Sequence, residues 1–136
     1  FCDGDDKLYH ELEFSARKLG SAFQKVNFLR DLKNDIEILD RRYFPELQQK
    51  RFDEKNKLVV IKDIENDFSS AFIGIKKLPK RSKLAVLIAY YYYLSLLKKI
   101  KNTQADRILE SRISVSNFKK MLLLLKAMFV YKLRLI

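Results

Sequence analysis

Glycine, proline, cysteine and histidine are all scarce in this sequence of 136 residues, which holds 3 Gly, 2 Pro, Cys2 and His10. So few turn residues argue against an all-β plan, in which every short strand needs a reversal. One thiol and one imidazole exclude an internal disulfide framework, a Cys/His zinc site and any mechanism that requires two histidines. Both residues read as structural or incidental, and the lone thiol fits a reducing cytoplasm. No uninterrupted apolar run reaches the roughly 20 residues of a membrane span, and no signal-peptide pattern opens the chain. The expectation is a soluble or membrane-peripheral protein. Because the first residue is Phe1 rather than Met, the chain is expected to be processed or cut from something longer. Its 48% hydrophobic content is too high for a disordered chain, and its length suits one domain or a piece of one.

Charge is present in excess and unevenly placed. Through Ile73 there are 13 basic and 15 acidic residues, a net of −2. From Gly74 onward 15 basic residues face only Asp106 and Glu110, a net of +13. Such a block attracts nucleic acid, anionic lipid or a phosphorylated substrate, and composition does not choose among them.

Hydrophobic periodicity predicts an all-α protein of four or five helices. Leu8, Leu12, Ala16, Leu19, Phe23, Val26, Leu29 and Leu32 trace one stripe of a helix from about Asp5 to Asp40. Gly20 interrupts it at a cost of about 1 kcal/mol relative to Ala, which suggests close approach of something to the backbone there. Residues 40–51, with Pro45, read as a loop. Asp53 is a plausible N-cap for a helix to about Ile75, with Ile61, Ile64, Phe68, Phe72 and Ile75 as its apolar face. After Pro79 a third helix, Lys83 to Ile100, is apolar nearly all round and should be largely buried. Thr103 and Asp106 suggest a capping box for a short helix reaching Arg112, and a last helix runs from Ser114 or Ser116 towards Leu133.

The chemistry-bearing stretch lies between Leu19 and Pro45. Gln24, Asn27, Asp31 and Asp35 are spaced by three, four and four residues, so on one helix they fall within about 80° of arc. Short oxygen-bearing side chains in a row suit a hard cation such as Mg²⁺, which keeps water or substrate phosphate in its remaining positions. Gly20, one turn earlier on this face, leaves room for a ligand chain. Spacing alone equally allows an ordinary polar helix face.

The same stretch resembles the second aspartate-rich region of the squalene/phytoene synthase family, close to G-x-A-F-Q-x-x-N-x-x-R-D-x-x-x-D followed by R-x-Y-x-P. The matching residues are Gly20, Ala22, Phe23, Gln24, Asn27, Arg30, Asp31 and Asp35, then Arg41, Tyr43 and Pro45. Downstream, the helix from Tyr93 to Ile100 resembles the family's late tyrosine helix. Arg112-Ile-Ser-Val-Ser with Lys119 and Lys120 resembles its closing basic segment. The wording is most similar to bacterial phytoene synthases. The resemblance implies the C-terminal helical portion of the isoprenoid (terpenoid) synthase fold, spanning residues 1–136, with the first aspartate-rich half upstream.

It also implies a Mg²⁺-dependent trans-prenyltransferase that joins two prenyl diphosphates, such as geranylgeranyl diphosphate, head to head through a cyclopropyl intermediate. Asp31 and Asp35 would be metal ligands, Gln24 and Asn27 would position metal water or diphosphate oxygens (Asn27 counting with the metal set), and Tyr93 would be a catalytic residue. Arg30, Arg41 and Arg112 would contact diphosphate, and Gly20 would border the substrate. Asp40 stands where the family commonly has Gly, and Asn34 where many members have a second acid. One wall of a two-walled site is expected to be inactive by itself.

Other readings stand beside these. Four consecutive tyrosines, Tyr90–Tyr93, point in four directions from a helix, and apart from Tyr93 they read as packing. No aromatic RNA-binding signature accompanies the lysines, so nucleic acid is not an expected partner. The apolar C-terminal stretch suits core packing better than a membrane-surface helix, yet a basic face would favour peripheral contact with the inner face of the membrane. An uncovered half-bundle should self-associate. The competing function is a non-catalytic cationic helical module that binds prenyl diphosphate, anionic lipid or a protein.

Overall fold

The computed structural model describes residues 1–32 and 52–136, and among them it contains five α-helices and no strand. They are α1 (Asp6–Arg30), α2 (Glu54–Lys77), α3 (Lys80–Lys101), α4 (Ala105–Glu110) and α5 (Asn117–Lys132). Three of them begin where a short acceptor side chain binds a free helical amide. Asp5 accepts from the Leu8 amide at 3.0 Å, Asp53 from Asn56 at 2.8 Å, and Ser116 from Lys119 at 3.3 Å.

The helix expected from Asp5 to Asp40 is interrupted at Asp31, and residues 33–40 of it lie outside the described residues. α1 stops at Arg30, and Asp31 is its C-cap, with φ −103° and ψ 18°. Asn34, Asp35, Asp40, Arg41, Tyr43 and Pro45 lie outside the described residues. The expected capping box before α4 is also absent. Thr103 instead donates its hydroxyl to the Lys99 carbonyl at 2.7 Å, and the free Ala105 amide donates to Glu54 Oε1, a residue of α2, at 2.6 Å.

α1 packs chiefly on α2, with α3 against both and α5 on α3. Val26, Leu29 and Leu32 meet Val60, Ile61, Ile64 and Phe68 in a core that Leu87, Tyr90, Leu96 and Ile100 close from α3. Ala16, counted in the apolar stripe from sequence, is exposed, while Ala22 is buried. The close backbone approach expected at Gly20 occurs at Gly74 instead. A Cβ on Gly74 would lie 2.4 Å from Ser15 Cβ, whereas one on Gly20 would meet nothing within 4 Å.

Two buried charges join the helices. Asp67, 2% exposed, accepts from Lys18 at 2.9 Å, Ser21 at 2.8 Å and Lys25 at 2.7 Å, which ties α2 to one face of α1. Burial alone would push its carboxyl up, but the hydrogen bonds from Lys25, Lys18 and Ser21 more than offset this and hold it below the usual range. Lys57, also 2% exposed, donates to the carbonyls of Lys101 and Thr103 at the end of α3, at 3.1 and 2.7 Å. A cation at a helix C-terminus satisfies carbonyls that have no intrahelical partner.

Candidate functional site

The last turn of α1, the middle of α3 and the segment before α5 converge on one cluster. Asn27 Nδ2 donates to the Tyr93 hydroxyl at 3.2 Å. The Tyr93 ring stacks on Phe23 with centroids 4.1 Å apart and planes 19° from parallel. The other amide atom, Asn27 Oδ1, is buried and has no hydrogen-bond partner. An orphaned oxygen costs about 1–3 kcal/mol of desolvation, which a ligand or water that reaches it would relieve.

One turn on, Asp31 holds two guanidinium groups. Arg30 approaches Oδ2 at 2.8 Å and Arg112 Nε approaches Oδ1 at 2.9 Å. Neighbouring residues within a helix do not face each other. Asp31 meets Arg30 because its backbone has already left the helix. A carboxylate at a helix C-terminus opposes the helix dipole, and the two cations compensate for that. The hydrogen bonds to Asp31 raise the Arg30 pKa further above its ordinary value. The Asp31 side chain is nonetheless 33% exposed, and Arg112 is largely so.

The sequence-predicted residues therefore divide in three. Asn27, Arg30, Asp31, Tyr93 and Arg112 come together. Gly20 and Gln24 lie on the same side of α1 but are exposed, with open space before Gly20. Asp35 and Arg41 fall outside the described residues. Phe23 is the contributor that the sequence placed in the motif and the apolar stripe without a role in the site. Its place in the motif, one residue before Gln24, was the available signal.

The other tyrosines follow the packing expectation. Tyr90 is buried against Phe68 and Phe72, and burial pushes its hydroxyl up. Tyr91 and Tyr92 lie beneath the Lys126 and Lys120 ammonium groups at 4.6 and 6.0 Å. Towards the start of α1 lies a separate apolar groove of about 520 Å³, bordered by Leu12, Ala16, Leu19, Ala71 and Ile75.

The chain matches the squalene/phytoene synthase family over residues 2–119. It belongs to that family. Neither a curated protein nor a solved structure matches it. Membership makes the helices those of the all-α isoprenoid synthase fold and assigns the chain at family level to squalene/phytoene synthase-type prenyltransferases of isoprenoid biosynthesis.

Asp31 and the orphaned Asn27 Oδ1 are hard oxygens one turn apart, the donor type Mg²⁺ takes. No group of three His, Cys, Asp or Glu side chains able to hold a metal occurs among the described residues. Both Asp31 oxygens are engaged by Arg30 and Arg112, so the described residues do not by themselves make a Mg²⁺ site.

Proposed function

We propose that this chain is the C-terminal part of a head-to-head prenyltransferase that condenses two prenyl diphosphates, geranylgeranyl diphosphate by preference, in carotenoid biosynthesis. The reading rests on family membership and on the convergence of Asn27 with Tyr93 and of Asp31 with Arg112 at the end of α1. Asp31 and Asn27, with Asp35, would hold Mg²⁺, which when bound supplies Lewis-acid stabilisation to the departing diphosphate.

The protein's own groups account for the rest. Ionisation breaks the allylic C–O bond, and the electron pair leaves with the diphosphate. Arg112 and Arg30, already paired with a carboxylate, exchange that partner for diphosphate oxygens, and Arg41 adds a further cation. Such preplaced charge acts where negative charge develops. Tyr93, held by Asn27 and Phe23, presents a fixed hydroxyl at the same end. Gln24 positions the head group's oxygens, and Gly20 lets the first carbons of the tail pass close to α1. The groove walls keep water from the carbocation. About eleven residues separate Ala16 from Asn27, roughly 16 Å along the helix and enough to lay a prenyl chain beside it.

The exposed Gly20–Gln24 face supports a site with one wall, so the isolated 136 residues are expected to be inactive. The ion pairs at Asp31 favour a second reading, a module that binds prenyl diphosphate without metal and without turnover. Titration with an unreactive prenyl diphosphate analogue separates the two. The enzyme reading expects binding that strengthens with Mg²⁺ and loses this response in Asp31→Asn. Equal affinity with and without metal would overturn it. Turnover by the 136-residue chain would overturn the claim of inactivity.

A further inference from the structure

A buried lysine of α2 holds the corner from which the chain sets out towards Arg112. The Lys57 ammonium carries three N–H donors, and each has an acceptor. It donates to the carbonyls of Lys101, the last residue of α3, and Thr103, in the turn behind it, at 3.1 and 2.7 Å. It also pairs with Glu54 Oε2 at 2.7 Å. Glu54 Oε1 accepts from the Ala105 amide, the first of α4, at 2.6 Å. Lys57 and that amide together hold the Glu54 carboxyl below its usual range. The first turn of α2 thus grips both sides of the turn between α3 and α4.

α4 depends on that grip. Its six residues are too few for a helix to form unaided, and its N-cap, Gln104, makes no side-chain capping bond. Beyond it the chain alternates sides, with Ile113 and Val115 buried in the core and Arg112 and Ser114 exposed. Arg112 stands at Asp31, and the Ser114 carbonyl accepts from Lys99 at 2.6 Å. Burial of Ile113 and Val115 is non-directional, whereas hydrogen bonds at the corner fix the direction in which α4 leaves it. A tilt of about 10° there, carried along the roughly 9 Å of α4 and two residues beyond, swings Arg112 by up to about 2–3 Å. That is enough to part the pair with Asp31.

We propose that Lys57, together with Glu54, is a positioning residue for Arg112: it holds the α3–α4 corner so that the guanidinium stands at Asp31. The inference rests on the reading of Arg112 as a diphosphate contact, and its first test uses no ligand. In nitrogen–proton correlation NMR of the 136-residue chain, Arg112→Ala should displace the Asp31 amide signal. Lys57→Met should reproduce most of that displacement, and Arg112→Ala added to it should move the signal little further, because coupled residues are not additive. Glu54→Ala, at an exposed position, should act in the same direction and serves if Lys57→Met does not fold. Asp67→Asn removes a buried charge elsewhere in α2 and should leave the signal in place. In the analogue titration, Lys57→Met should weaken binding about tenfold, as Arg112→Ala does, and the double variant no more than either alone. An Asp31 signal unmoved by Lys57→Met and Glu54→Ala, one moved equally by Asp67→Asn, or additive losses of affinity would overturn the proposal. Affinity that Arg112→Ala leaves unchanged, with the NMR result as expected, would instead overturn the diphosphate reading.

Discussion

Arg112 Nε stands 2.9 Å from Asp31 Oδ1, which ties the segment before α5 to the cap of α1 through one charge pair. Arg30 holds the other oxygen of the same carboxylate. The pair stores two cations at the place proposed above for a diphosphate, and a partly exposed pair separates at small cost.

Arg112→Ala should therefore lower stability by less than about 1 kcal/mol, read as a small shift of the urea midpoint. Affinity for the diphosphate analogue should fall by about tenfold or more, since a charge-assisted contact is worth roughly 1.5–3 kcal/mol. A large stability loss with unchanged affinity would make Arg112 a structural residue.

Tyr93→Phe keeps the ring stacked on Phe23 but removes the acceptor for Asn27 Nδ2. With Asn27 Oδ1 already orphaned, the whole amide is left unpaired, and a stability loss of about 1–3 kcal/mol is expected in urea denaturation. Addition of the analogue with Mg²⁺ should recover part of the loss, because a ligand that binds only the folded state shifts the midpoint upward.

The two mid-helix glycines should respond with opposite signs. Gly74→Ala forces a methyl group against Ser15 Cβ and should cost about 1–3 kcal/mol through overpacking. Gly20→Ala meets open space and should add up to about 1 kcal/mol of helix stability. It should also weaken analogue binding if the tail passes over that position. Parallel urea titrations of both variants check the signs.

Asp67 links stability to pH. Its folded-state pKa is depressed, so its contribution is complete above the unfolded value of about 3.9 and is lost as pH falls through the lower folded value. Asp67→Asn should cost roughly 3 kcal/mol near neutral pH, because Lys25 and Lys18 lose a buried partner. The penalty should shrink in acid, below about pH 4. A penalty that is the same at pH 3 and pH 7 would contradict the assignment of Asp67 as a charged hub.

Much of the architecture was legible as local pattern. The caps at Asp53 and Ser116, the break at Pro79 and the face from Ile61 to Ile75 depend on side chains a few residues apart, and the structure places them where periodicity puts them. The misplaced features depend on distant contacts. Ala105 is capped by Glu54 from another helix, and the end of α1 at Asp31 accompanies an ion pair with Arg112. Lys18, Ser21 and Lys25 share one face of α1, a pattern visible in sequence, but only the approach of α2 reveals Asp67 between them.

Residue order alone determined the helical class, the Gly20–Asp35 motif and the concentration of positive charge after Gly74, since each is a matter of composition or of spacing along one helix. Tertiary structure decided which motif residues meet. Asn27 with Tyr93, Asp31 with Arg112 and Gly74 with Ser15 are joined by the packing of separate elements, whose relative placement no short-range pattern encodes. It also decided which side of α5 meets α3 among the described residues. A helix apolar on both sides carries no sign in its own sequence of which side that is.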